Sequence, residues 1–419
     1  MLRDPFTRCC AAAFFSLIFF AAPVAAEEDD RDRRIRELEE RLDGLELELL
    51  QVQAMTDDVD EDEGPLEEKR FSGAARSLQV LNPEISFSGD VVAQYLVGPD
   101  GKEYHGDERS GFQFREFGVH FQSNLDPYSM TKIAFAFSEK EVALEEAFMT
   151  WAPLLEGFSL TAGYFRQQLG VLNRWHPDAL DQADHPLMLT VPFGEEGLVQ
   201  TGLSAHLRLP PLWSHSLELV LEVTNSSNEA VLAGDFFSIP STLAHVTNYW
   251  DLSPDTYLEL GLTGLFGANN RRGLPEDEGG LRDEGFRMTA MGGADLTLNW
   301  EPLNQAKYRG VTWRTEFLYI RKELPGAERI DWFGGYSYVE AKANQSWILG
   351  VRGDLVQPFE VQNATDLEWQ VVPYVTWWQS EFVRLRLEYR YHQPHIGDMD
   401  HKVLLQLTFA AGPHKHEKY

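Results

Sequence analysis

The sequence Glu-Phe-Val-Arg-Leu-Arg-Leu-Glu-Tyr-Arg-Tyr, residues 381–391, alternates between two classes of side chain. Odd-numbered positions from Val383 are apolar or aromatic, and even-numbered positions from Arg384 are charged. Because successive side chains of a strand point to opposite faces of a sheet, the segment predicts a strand with one apolar and one charged face. A soluble sheet with a buried inner face would show the same alternation.

Similar segments recur from about residue 84 to the end of the chain, and they favour a membrane barrel. We count sixteen candidate strands, at about 84–96, 112–124, 130–138, 142–152, 157–168, 199–209, 215–224, 242–251, 255–266, 286–300, 309–321, 332–343, 346–356, 367–378, 381–392 and 401–410. Short and long connections alternate between them, except at 139–141, and many strands end on an aromatic residue. Short turns at one rim and long loops at the other are typical of outer-membrane barrels. Residues 81–419 are therefore predicted to form a 16-stranded antiparallel transmembrane β-barrel, an all-β membrane protein. Two candidates, 112–124 and 242–251, alternate poorly.

Residues 1–26 are predicted to be a secretory signal peptide. Arg3 and Arg8 form a basic start, a short apolar core follows, and Val-Ala-Ala at 24–26 resembles a cleavage site. The alternative, a membrane anchor, requires a longer apolar helix. The only two cysteines, Cys9 and Cys10, lie in this segment, so we expect no thiol chemistry in the mature chain.

Residues 27–55 are predicted to form a short periplasmic coiled coil. Apolar residues recur there at alternating spacings of three and four, at Ile35, Leu38, Leu42, Leu45, Leu49 and Val52. The alternative is a single amphipathic helix that rests on another surface. Residues 56–80, which begin with an acidic run, are predicted to be a flexible linker.

Charge and composition exclude several classes of function. The formal net charge is −30, whereas a nucleic-acid surface needs clustered Lys and Arg. We find no Gly-x-Ser-x-Gly elbow and no persuasive Ser/His pairing, and we expect no catalytic residues. The chain is therefore not expected to be an enzyme.

The connection after the fifth predicted strand, 169–198, is the candidate constriction. It is rich in apolar residues, which disfavours free exposure to water, so we expect it to fold inward. The alternative is an ordinary external loop. Its candidate functional residues are Arg174, His176, Glu195 and Glu196. The two glutamates could approach the inward Arg384 and Arg386.

Charged residues at inward positions are the predicted pore lining. They are Arg314, Arg352, Arg384, Arg386, Arg390, Glu316 and Glu388. Mixed signs across a lumen create a transverse field that favours charged or dipolar solutes. Alternatively, these side chains pair with each other and only hydrate the wall.

Histidines invite a metal hypothesis, since the chain has twelve of them. His176 and His185 lie in the long connection, and His392, His395 and His401 surround the last long one. Imidazole is a suitable ligand for zinc or copper, but no spacing here matches a recognised site. We therefore predict no metal site and no cofactor.

The layout of signal, coiled coil, acidic linker and sixteen-stranded barrel resembles the phosphate-selective porin O/P type and, more locally, porin-like outer-membrane proteins. The carrying segments are 82–85, 173–177, 194–197, 293–300, 378–386 and 405–414. In sixteen-stranded porins the loop after strand five folds into the pore, which is where 169–198 falls. The resemblance implies a homotrimeric diffusion channel, surrounded by lipid, in the outer membrane of a Gram-negative bacterium. No lysine-rich arrangement along the constriction accompanies it.

The sequence thus predicts a porin-like channel for passive diffusion of small hydrophilic, charged solutes. One alternative is a structural or tethering protein, whose coiled coil contacts a periplasmic partner while the barrel serves as an anchor. Another is a component of metal-linked uptake.

Overall fold

The computed structural model describes residues 83–97, 110–228, 230–233, 239–271, 282–324, 329–359, 367–397 and 399–412. The predicted signal peptide, coiled coil and linker lie outside the described residues. No helix among the described residues is long and apolar enough to cross a membrane.

Sixteen antiparallel strands close into one barrel, which confirms the predicted fold and strand number. The strands are β1 (Glu84–Val97), β2 (Gly111–Asp126), β3 (Ser129–Phe137), β4 (Val142–Leu155), β5 (Phe158–Arg166), β6 (Val199–Leu209), β7 (Ser216–Thr224), β8 (Ser241–Ser253), β9 (Thr256–Arg271), β10 (Arg282–Trp300), β11 (Gly310–Glu323), β12 (Arg329–Lys342), β13 (Trp347–Val356), β14 (Glu368–Ser380), β15 (Val383–Gln393) and β16 (Asp400–Ala411). Each strand pairs with its neighbours in sequence, and β1 pairs with β16 to close the sheet. An even strand number places the two barrel termini at the same rim.

The two faces of β15 show how the alternating pattern is used. Leu387 and Tyr389 point outward and are 46% and 41% exposed, whereas Arg386 and Glu388 point inward and are each 2% exposed. An apolar outer face and a polar inner face are the arrangement that lipid outside a barrel requires.

The turns explain where the strand boundaries fall. Between β12 and β13, Asn344 Oδ1 accepts hydrogen bonds from the backbone N–H groups of Ser346 and Trp347, at 2.9 and 3.1 Å. Such a side chain replaces a backbone acceptor in a tight turn. The short β3–β4 connection is likewise closed by a 2.9 Å bond from Ser138 N to Glu141 O.

Candidate functional site

The connection between β5 and β6 lies inside the barrel, as its apolar content predicts. We call residues 169–198 the inner loop. It contains two single-turn 3-10 helices, Leu172–Arg174 and Pro177–Ala179, and one short helix, α1 (Leu187–Phe193). It forms hydrogen bonds with inward side chains of β11 and β15, which lie across the barrel from β5, and also with Arg115 of β2.

One asparagine fastens the two ends of the inner loop together. Asn173 Nδ2 donates to the carbonyls of Gln167 and Leu198 at 2.8 and 3.0 Å, and Leu198 N donates to Asn173 Oδ1 at 2.7 Å. Gly197 has φ +73°, and a Cβ there would lie 2.4 Å from Asn173 Oδ1. Only glycine satisfies both the positive φ and this close approach.

An apolar cluster fills the lumen beside the inner loop. Loop residues Leu172, Leu189 and Leu198 are at most 1% exposed, and they pack with inward side chains of the wall. The wall members are Leu243, Leu265, Met291, Leu318, Ile320, Ile330, Trp332, Tyr336, Tyr338 and Val356. Burial of apolar surface, worth roughly 25 cal/mol per Å², therefore favours the inward position of the loop.

Two arginines of β15 hold the middle of the inner loop. Arg384 Nη1 and Arg386 Nη2 both donate to the carbonyl of Leu180, at 3.1 and 2.8 Å, and Arg384 Nη2 donates to the carbonyl of Asp178 at 2.5 Å. Both guanidinium groups are buried. We call Arg384 and Arg386 the arginine latch.

Asp184 forms the second attachment. Its carboxylate lies 2.8 Å from Arg115 Nη2 and also pairs with Arg390, while its carbonyl accepts from Arg352 Nη1 at 2.7 Å. Burial alone would raise the pKa of Asp184, but Arg115 and Arg390 together hold it well below its usual value. The side chain is thus a fixed anion at neutral pH.

Wall carboxylates accept hydrogen bonds from the loop backbone. Glu316 Oε1 accepts from Leu172 N at 3.0 Å, and Glu388 Oε1 accepts from Ala183 N at 2.7 Å. Gly170, with φ +62°, passes so close to Glu316 that a Cβ there would overlap its carboxylate. Without these acceptors the loop's N–H groups would be buried unpaired, at a cost of roughly 1–3 kcal/mol each.

The structure changes the role of the predicted pore lining. The predicted residues all lie on inward positions, but the inner loop covers most of them: Arg314, Arg352, Arg384, Arg386, Glu316 and Glu388 are at most 8% exposed. Arg314 additionally stacks over the Trp175 ring, with its Cζ 4.5 Å from the ring centroid. These charges bind the loop where the sequence suggested a lining in contact with water.

The predicted constriction residues make different contacts. Arg174 Nη1 donates to Gln168 Oε1 at 3.1 Å, close to the start of the loop. Glu195 and Glu196 are exposed, and the carbonyl of Glu196 accepts from Arg166 Nη1 at 2.6 Å. Among the described residues, no contact joins these glutamates to the arginine latch. The two arginines instead donate to backbone carbonyls, and every residue has such a carbonyl, so the sequence does not identify these partners.

His176 lies in a buried ionic cluster at the root of the inner loop. Its Nε2 is 2.9 Å from Glu146 Oε2 and its Nδ1 is 3.3 Å from Glu145 Oε2. Burial alone would lower the pKa of His176, but the two glutamates raise it to about 9. A β-bulge places both adjacent glutamates inside, because the β3–β4 register shifts between Ala134 and Phe135. Simple alternation could not reveal this pair.

The other predicted histidines have separate environments. His185 is buried, its Nε2 lies 3.3 Å from Trp175 O, and burial lowers its pKa to about 3. At the long-loop rim, His392 and His395 both contact Glu368, at 3.0 and 3.2 Å. His401 lies on the outer face, where its Nδ1 is 2.6 Å from the hydroxyl of Tyr389.

Comparisons with known proteins agree with this architecture. No family model matches the chain. An uncharacterized protein of Aquifex aeolicus is 26% identical over 347 residues, covering 75% of this chain and 72% of that protein. Among solved structures, Pseudomonas putida OprB covers 81% of this chain and 96% of its own, with a TM-score of 0.54 and 10% identity.

Two further structures of outer-membrane proteins give the same result. The anion-selective porin of Comamonas acidovorans has a TM-score of 0.54 and 11% identity, and covers 79% of this chain and 99% of its own. The chain has the fold of the outer-membrane porins. The trimer form of OmpT, an outer-membrane protein of Vibrio cholerae, has a TM-score of 0.51 and 9% identity, covering 79% of this chain and 100% of its own. At these identities the likeness concerns the barrel.

Proposed function

We propose that this protein is a porin-type channel of a Gram-negative outer membrane, through which small hydrophilic, charged solutes diffuse passively. The inner loop sets the narrowest point of its passage. The observation that carries the proposal is the course of that loop, which leaves β5 and reaches inward side chains of β15 across the lumen. A segment in this position limits the size of any solute that crosses.

The charges around the inner loop support a charged or dipolar solute. Arg384 and Arg386 bind neutral carbonyls, so their positive charges are not cancelled by the groups they touch. Towards the short-turn rim, Glu259 and Glu340 are only half-buried. Separated positive and negative groups in a narrow lumen create a field across the path, which is poorly screened where water is scarce.

The assembly that we propose is a homotrimer surrounded by outer-membrane lipid. The apolar outer face of the strands supports contact with lipid. The predicted coiled coil at 27–55 would add an interaction between protomers, or with a periplasmic partner.

A second candidate function, a closed barrel that anchors the coiled coil, is favoured by the apolar cluster. Leu318, Ile320 and Trp332 point inward and are at most 2% exposed, so this part of the lumen is filled by protein. A loop that never leaves this position would make the barrel an anchor.

Single-channel recording in planar bilayers tests the proposal. We expect the full-length protein to give discrete conductance steps, and shortening of the inner loop to raise them several-fold, a rough expectation for opening the narrowest part of a pore. The reversal potential in a salt gradient would then report the ion preference. Absence of steps from both correctly folded proteins would support the anchor and refute the channel.

A further inference from the structure

Two buried imidazoles and a buried carboxylate meet at the root of the inner loop. His120 comes from β2, Glu145 from β4 and His176 from the loop, and their candidate ligand atoms all lie within 4.8 Å of one another. We propose that these three side chains bind a divalent transition-metal ion, for which Zn²⁺ is the appropriate probe. Sequence spacing predicted no such site because the ligands come from three distant segments.

The ligand types and their separations fit such an ion. Glu145 Oε2 lies 3.3 Å from His176 Nδ1, about the separation of two ligands in a tetrahedral zinc site with bonds of roughly 2.0–2.2 Å. Two imidazoles and one carboxylate leave a fourth position for water. All three residues are buried, which protects the site from bulk solvent.

Neighbouring groups already orient the ligands. Glu146 Oε2 lies 2.9 Å from His176 Nε2, and a carboxylate on the outer nitrogen is the usual support for a metal-binding imidazole. Arg166 Nη2 holds the other oxygen of Glu145 at 3.3 Å. His120 provides an independent observation: it is 6% exposed, and its Nδ1 has no hydrogen-bond partner among the described residues.

The charge balance of the cluster also permits a dication. The cations Lys132 and Arg166 lie close enough to repel a metal ion. The carboxylates of Glu146, Glu116 and Asp178 are also nearby, and their negative charge offsets this repulsion. On binding, the ion replaces the proton that His176 Nδ1 carries towards Glu145, and that proton leaves to solvent.

A bound ion would tie the root of the inner loop to β2 and β4. An effect of Zn²⁺ on conductance would rest on the proposed channel function, but metal binding itself does not. The decisive measurement is therefore made without any transport assay.

Metal-stripped full-length protein in mild detergent would be titrated with Zn²⁺ by calorimetry. We expect one ion per chain, and X-ray absorption should give ligand distances of about 2.0–2.1 Å with imidazole scattering. His120→Gln should weaken binding at least about tenfold, as loss of a group that builds a metal site does. His245→Gln is the matched control, because His245 is also buried and inward but bonds Thr263 at 2.8 Å outside the triad.

Folding of each variant would be checked by its heat-dependent electrophoretic mobility, and Glu145→Gln would replace His120→Gln if the latter failed to fold. Failure of the wild-type protein to bind Zn²⁺ would overturn the proposal. So would binding that the ligand variant leaves unchanged, since other histidines or carboxylates would then hold the ion. Neither result would bear on conductance.

Discussion

Replacing both residues of the arginine latch, Arg384→Gln with Arg386→Gln, should release the inner loop. The two guanidinium groups make three hydrogen bonds to the carbonyls of Asp178 and Leu180, at 2.5, 2.8 and 3.1 Å. Hydrogen bonds that involve a charged group contribute roughly 1.5–3 kcal/mol each. The three bonds together contribute about 4.5–9 kcal/mol, and the loss would be smaller because the glutamine amides can still form some hydrogen bonds.

A net loss of about 3–4 kcal/mol would raise the ratio of released to closed loop by roughly 10²–10³, since each 1.4 kcal/mol is tenfold. The charge itself is tested separately with the pair Arg384→Lys and Arg386→Lys, which keeps two cations but loses the forked donors and should give an intermediate result. Arg208→Gln is the neutral control, because the Arg208 side chain is 72% exposed and its guanidinium group lies 3.5 Å from the exposed carboxylate of Glu218, away from the inner loop.

Two assays would follow the loop. One is single-channel conductance, and the other is the reaction of Ala183→Cys with a water-soluble thiol reagent. Ala183 is 0% exposed on the inner loop, and the chain's two cysteines lie in the predicted signal peptide, so the background should be clean. We expect the glutamine pair to raise both the conductance and the thiol reaction rate. A folded variant with neither change would refute the role of the latch. A faster thiol reaction with no detectable conductance would be consistent with the latch but would refute the proposed channel.

Four further predictions concern other parts of the molecule. Trp175→Ala should destabilise the closed loop by about 3–5 kcal/mol, as loss of a buried Trp does, and speed the same thiol reaction without unfolding the barrel. Because the pKa of Asp184 is lowered, its contribution is complete above the usual value of 3.8 and is lost only at lower pH; the change in conductance that Asp184→Asn causes should therefore be the same at pH 5 as at pH 7. Deleting 27–55 should weaken the oligomer in native mass spectrometry and leave the barrel folded, whereas a full-length monomer would contradict the trimer. Replacing Glu195 and Glu196 with glutamine should shift the reversal potential modestly towards anions, because these exposed carboxylates are screened by salt.

The strand architecture was predictable because each strand has a local signal. Alternation along 381–391 and the turn residues around Asn344 define β15 and the β12–β13 hairpin without reference to distant residues. Strand boundaries were less predictable: β10 begins at Arg282, a few residues before the predicted 286. At these ends a strand extends beyond the apolar pattern, and backbone pairing alone decides where it stops.

The candidate site was only partly predictable because its contacts are between distant segments and often involve the backbone. The alternating pattern predicted that Arg384 and Arg386 point inward. Their partners are backbone carbonyls, which cannot be predicted from residue types. Glu145 was missed because a bulge turns it inward beside Glu146. His120 lies in a strand whose alternation is weak, so its direction could not be assigned.

The filled part of the lumen did have a sequence signal. Residues 317–320 read Phe-Leu-Tyr-Ile, an uninterrupted apolar run, and a strand that is apolar on both faces is buried on both faces. The structure shows the consequence: Phe317 is 50% exposed on the outer face, while Leu318 and Ile320 are at most 2% exposed against the apolar cluster. Exposure of such an apolar inner wall to water would be unfavourable. The run therefore requires protein inside the barrel, and the inner loop supplies it. Any solute path must pass beside this cluster or wait for the loop to move, which is why the strength of the latch decides between an open channel and an anchor.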